Sequence, residues 1–135
     1  MRSKQVFHIL SSLIIVVVIE ITPSYPIQAQ KENKENDPLI ILTSIKNLLQ
    51  KSITELTAGN YTGASELVEI AYIDNYEYIE DPLKELDQDL MEETEVMIRE
   101  DFIDAIEDKI PIEEITTLYN NTKRNFYKAE QLFKQ

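Results

Sequence analysis

The sequence predicts an all-α fold: an antiparallel up-down four-helix bundle preceded by a signal peptide or N-terminal anchor. Three observations carry this. Apolar residues recur at spacings of three and four through four successive segments after residue 37, which is the period of amphipathic helices. No period-2 alternation is long enough to build a sheet. The chain has only two glycines, Gly59 and Gly63, and no cysteine, so few tight turns are expected and no disulfide can staple irregular structure. Its 135 residues leave room for one domain.

The first 29 residues read as a separate segment. Arg2 and Lys4 form a positive start, an apolar run from Val6 to Ile19 is broken only by His8, Ser11 and Ser12, and a polar, Pro-containing stretch ends at Ala29. That is the layout of a secretory signal peptide. The competing reading is an uncleaved anchor touching the membrane through residues 6–22. A spanning helix needs about 20 apolar residues, and this run is shorter, with Glu20 at its edge. In both readings the remainder is extracytoplasmic: secreted, periplasmic or at the cell surface. Residues 30–36, containing KENKEN, read as a disordered linker, and 37–135 as the bundle.

Asp37 and Pro38 supply an N-cap and a first helical residue. Leu42, Ile45, Leu49, Ile53 and Leu56 then form one apolar stripe, and Gly59 closes the first helix. The second helix presents Ala64, Leu67, Val68, Ala71, Tyr72, Asn75, Tyr78 and Ile79 on one side, with Glu66, Glu69, Asp74, Glu77, Glu80 and Asp81 on the other. Pro82 is expected to end it near Asp81. Asp87 to Asp89 offer the N-cap of the third helix, whose core face is Leu90, Met91, Thr94, Met97, Ile98, Phe102, Ala105 and Ile106. Pro111 separates it from a fourth, carried by Ile115, Leu118, Tyr119, Thr122, Phe126, Ala129, Leu132 and Phe133. Short loops favour antiparallel neighbours.

Charge narrows the function. The chain carries −12, and the segment from Glu66 to Glu114 alone holds nineteen Asp or Glu against Lys84, Arg99 and Lys109. Such a surface repels nucleic acid and anionic lipid and favours hard cations. The only histidine is His8, so the bundle lacks the usual general base and both Ser-His and Cys-His nucleophile pairs. A non-enzymatic role is expected. The carboxylate pair of a glycoside hydrolase is the remaining enzymatic option, but a compact bundle leaves no obvious sugar cleft.

The segment Ala71-Tyr72-Ile73-Asp74-Asn75-Tyr76-Glu77-Tyr78-Ile79-Glu80-Asp81-Pro82-Leu83 resembles a signature of the extracytoplasmic helical domain at the N-terminus of many high-affinity iron permeases. Asp87 to Asp89 with Leu90 and Glu95, and Glu113-Glu114 after Pro111, match the acidic openings of that domain's later helices. The resemblance covers residues 40–134 by layout and about a dozen residues in detail. It implies a stand-alone accessory module of iron uptake, with a membrane iron permease or another envelope protein as partner. The permease's own Arg-Glu-x-x-Glu motif is absent: Arg99-Glu100 is followed by Asp101, Phe102 and Ile103.

Asp74, Glu77 and Asp81, at i, i+3 and i+7 with Glu80 beside them, are the candidate metal ligands, for iron or another hard cation. Asp101, Asp104 and Asp108 repeat the spacing on the third helix. The plain alternative is that both ladders are solvated helix faces. A dinuclear iron centre needs histidines that the bundle lacks, and Asp87-x-Asp89 has neither the glycine nor the terminal glutamate of a calcium loop. Tyr72 and Tyr78 are expected to pack, with Tyr76 on the acidic side. Ile70 and Ile73 interrupt that side, pointing to a partner surface or a contact with the fourth helix. Asn60 and Asn120 begin glycosylation sequons, with chance occurrence the default reading. The second functional class is a non-catalytic interaction or structural module of the envelope.

Overall fold

The computed structural model describes residues 37–135; the expected signal peptide or anchor over 1–29 and the linker over 30–36 lie outside the described residues. The described part forms four helices and no strand. Helix α1 is Pro38–Thr57, α2 runs over 61–86, α3 over 88–107, and α4 is Ile112–Phe133. They pack as a helical bundle around one core. No helix among them is long and apolar enough to cross a membrane.

Local chemistry sets the helix ends. Asp37 Oδ1 accepts from the Leu39 N–H at 2.9 Å, with Pro38 in the first turn where no N–H is needed. Gly59, at φ +79°, makes the left-handed exit from α1. Asn60 caps α2 by accepting from the Gly63 N–H at 3.1 Å. A Cβ at Gly63 would lie 2.3 Å from Asn60 Nδ2, so the cap requires that glycine. Asp87 is the whole hinge between α2 and α3: its extended backbone breaks the helix, and its Oδ1 accepts from the Leu90 N–H at 2.9 Å.

The predicted end of α2 near Asp81 is corrected: the helix continues through Pro82 to Leu86. Buried Ile79 and Leu83 hold the last turns against the core. The carbonyl that Pro82 cannot bond belongs to Tyr78, which lies on the exposed side where water can satisfy it.

Two wide turns interrupt α2 and α3. In Tyr72–Tyr76 the Glu77 N–H reaches the Tyr72 carbonyl, and in Met97–Asp101 the Phe102 N–H reaches that of Met97, five residues back in each case. The cause is in the apolar pattern. Ala64, Val68, Tyr72 and Tyr76 are spaced by four, as are Thr94, Ile98, Phe102 and Ile106. On a 3.6-residue helix three such steps would carry the stripe through roughly 120°. One extra residue in a wide turn cancels that drift and keeps the stripe on the core.

The wide turn in α2 also overturns the expected tyrosine placement. Tyr76 is fully buried and Tyr78 is 66% exposed, the reverse of the prediction. Asn75, expected in the core, is half-buried and donates from Nδ2 to the Ile70 carbonyl.

Buried and half-buried polar links tie the helices together. Ser52 Oγ donates to the Ala64 carbonyl at 2.8 Å, joining late α1 to early α2. Tyr76 OH donates to the Met91 carbonyl at 2.7 Å, joining α2 to α3. Asn125 Nδ2 of α4 donates to the Met97 sulfur of α3 at 3.7 Å, and the Thr122 hydroxyl, which donates to the Leu118 carbonyl of its own helix, lies 3.6 Å from the same sulfur. Lys46 of α1 is ion-paired with Glu130 of α4.

Candidate functional site

The four expected metal ligands all lie on α2. Asp74, Glu77 and Asp81 are exposed, while Glu80 is half-buried. Asp74 lies within the wide turn and the others beyond it, so the i, i+3, i+7 relation no longer describes one straight ridge. Asp101, Asp104 and Asp108 are all exposed on α3. Among the described residues no group of three or more His, Cys, Asp or Glu is arranged to hold a metal ion.

What the wide turns build instead is a polar seam between α2 and α3. Glu80 turns inward, and its Oε1 is buried with no hydrogen-bond partner. Glu95 of α3 is half-buried and receives two donors on one oxygen, Tyr72 OH at 3.3 Å and Arg99 Nη1 at 2.7 Å. Arg99 Nη2 bonds Glu100 at 2.6 Å, and the guanidinium lies 6.0 Å from the Tyr72 ring centre. The Tyr72 and Tyr76 rings are stacked, 6.4 Å apart at 26°.

The electrostatics follow from crowding acids into a partly dry seam. Burial pushes the Glu80 carboxyl above its ordinary range; the charges of Glu95 and Glu77 add to this, and the Tyr72 hydroxyl and Arg99 oppose it. Burial, then the Glu80 charge, raises Tyr72. Burial keeps Tyr76 firmly protonated. Arg99 is held in its charged form by Glu100, Tyr72 and Glu95. The seam can hold a proton or balance a positive group. Its ionisable groups are carboxylates, tyrosines and one arginine, with neither His nor Cys among them.

Beside the seam the α2–α3 surface is hollow. A cavity of about 400 Å³ has Val68, Tyr72, Ile73, Ile98 and Ile103 as its apolar lining, with Glu69, Glu77 and Arg99 around them. A second, of about 450 Å³, lies toward the start of α2 between Tyr61, Thr62, Ser65, Glu66 and Glu69 and, on the other side, Ile106, Glu107 and Lys109. Glu69 lines both. Lys109 Nζ stands 5.3 Å from the Tyr61 ring centre.

Ile70 and Ile73, expected at a partner surface or against the fourth helix, are 41% and 54% exposed, so neither is buried against another helix. Sequence reasoning missed the joint role of Glu95, Arg99 and Tyr72. The runs of four-residue spacing were the available signal, because they call for the wide turns that set these side chains facing one another. No protein-family model, no curated protein and no solved structure matches this chain.

Proposed function

We propose that the chain is an exported, non-catalytic interaction module. In this reading it is an up-down bundle of antiparallel helices that docks another extracytoplasmic protein through the acidic face of α2 and α3. The observation that carries it is the exposure of Ile70 and Ile73 within a field of carboxylates. Among the described residues only Glu95, Glu100 and Glu130 have ion-pair partners, so most of that acidity is free to act on a partner. The hairpin links Ser52–Ala64 and Tyr76–Met91 support the antiparallel arrangement. Residues 1–29 would direct export, and the resemblance of residues 71–83 puts a membrane iron permease first among envelope partners. The test is purification of the protein from an envelope extract in chelator. A stoichiometric complex with one other protein is expected; a chain that emerges alone under every extraction condition ends this reading.

A second reading, capture of a hard cation such as iron for an uptake system, rests on one atom: the buried, unpartnered Glu80 Oε1 near Glu95. Asp74, Glu77 and Asp81 would then supply outer oxygens at the mouth of the seam. Calorimetric titration with ferrous and ferric iron checks it. On this reading the native protein gives a saturable heat that a Glu80→Gln variant loses; equal heats from both remove the idea.

A further inference from the structure

We propose that the α2–α3 groove receives one basic amphipathic helix of a partner protein, seated by apolar side chains on Ile73 and its neighbours and by cations on the acidic rim. The inference rests on the interaction-module reading and specifies its site and its ligand chemistry.

Length, floor and rim all fit such a guest. The two cavities share Glu69 as a lining residue, and their α2 linings run from Tyr61 to Glu77. Sixteen helical steps span about 24 Å, roughly four turns of a docked helix. The apolar surface open to a guest is Ile73 and Tyr61, with half-buried Tyr72 and Ile103; fully buried Val68, Ile98 and Ile106 lie beneath them. Glu66, Glu69, Glu77 and Glu107 are exposed on its rim, without ion-pair partners among the described residues. An apolar groove edged by acids selects a helix with an apolar stripe and flanking Lys or Arg. The chain already seats two cations there as a guest's would sit, Arg99 against Tyr72 and Lys109 against Tyr61. Charge also rules against other occupants. A second copy brings the same −12, and anionic lipid or nucleic acid meets like charge on the rim.

The probe is a synthetic four-turn helix with Leu at i, i+3, i+4 and i+7 and Lys beside them, titrated into the full chain by fluorescence anisotropy at low and physiological salt. Two control peptides accompany it: the same residues scrambled, and a version with Glu for Lys. Micromolar binding of the first peptide is expected, at least about tenfold weaker binding of the scramble, and none of the acidic version. Ile73→Ser should weaken binding about tenfold with the salt slope unchanged, and Glu69→Gln with Glu77→Gln should weaken it and flatten the slope. All three positions are exposed, and the peptide comparison on the native protein stands without the variants. Equal binding of the scramble, no binding at all, or indifference to Ile73→Ser overturns the groove. So does a dimer in sedimentation that Ile73→Ser abolishes, which gives the face to a second copy. A stoichiometric envelope complex that persists in the Ile73→Ser protein would sink the groove and leave the interaction module standing.

Discussion

At the residue scale, the sharpest contrast lies between two tyrosines two positions apart. Tyr76 is fully buried and its hydroxyl donates to the Met91 carbonyl, whereas Tyr78 points to water. Removing the Tyr76 hydroxyl leaves a buried carbonyl without that donor, a loss of about 1–2 kcal/mol. Tyr76→Phe should therefore lower unfolding stability by that amount in urea, while Tyr78→Phe stays within about 0.5 kcal/mol of the native protein. Glu80 makes the complementary case. Its carboxyl is pushed up, mainly by burial and then by Glu95. A raised folded-state pKa means that the group's favourable contribution is complete below the unfolded carboxylate range and is lost as pH rises through the folded value. Ionised Glu80 thus opposes folding at neutral pH. Glu80→Gln should melt above the native protein at pH 7, with the gap closing as pH falls through the carboxylate range; a gap that widens on acidification would show that the charge is stabilised in the seam.

At the element scale, the wide turns explain what could and could not be read from the pattern. Helix number, the caps at Asp37, Asp87 and Gly59, and the core positions of α4 follow from local rules, because capping and a 3.6-residue stripe need only neighbours in sequence. The faces of α2 beyond Tyr72 do not. They depend on whether the backbone takes one residue more in a turn, and that choice is made by burial of Tyr76, Ile79 and Leu83 against other helices. A face assigned from a straight helix therefore swapped Tyr76 with Tyr78 and took Asp74, which lies in the wide turn, as continuous with Glu77 and Asp81 beyond it. If the turn is an inserted residue, its removal should be tolerated. Deleting Asp74, exposed within the wide turn, should restore an ordinary helix with Tyr76 still inward, at a cost under about 2 kcal/mol. Deleting Glu66, which lies in a regular stretch, should rotate everything after it and abolish the cooperative transition. Circular dichroism melts of the two deletions decide this; equal damage from both would mean that the wide turn is not an absorbed insertion.

For the whole molecule, the question is whether its acidity is a site or a field. Nineteen acids between Glu66 and Glu114 face three cations, and among the described residues only three ion pairs form. A surface of that kind repels itself, and mobile counter-ions relieve the repulsion without binding anywhere in particular. Raising sodium chloride from about 0.02 M to 0.5 M should then stabilise the bundle by about 1 kcal/mol, several degrees in the melting midpoint for a domain of this size. The same melts with magnesium, calcium or ferrous iron at matched ionic strength separate the two proposed functions. A field responds to ionic strength and valence smoothly, and Glu80→Gln shifts the curve without changing its form. A built cation site saturates at one ion per chain, stabilises as the logarithm of free ion above its dissociation constant, and loses that stabilisation when Glu80 becomes Gln. The exposed positions of Asp74, Glu77 and Asp81 favour the field. A smooth, non-saturating response is therefore the expected outcome, and it is also the condition under which the acidic rim stays open to the cations of a partner helix.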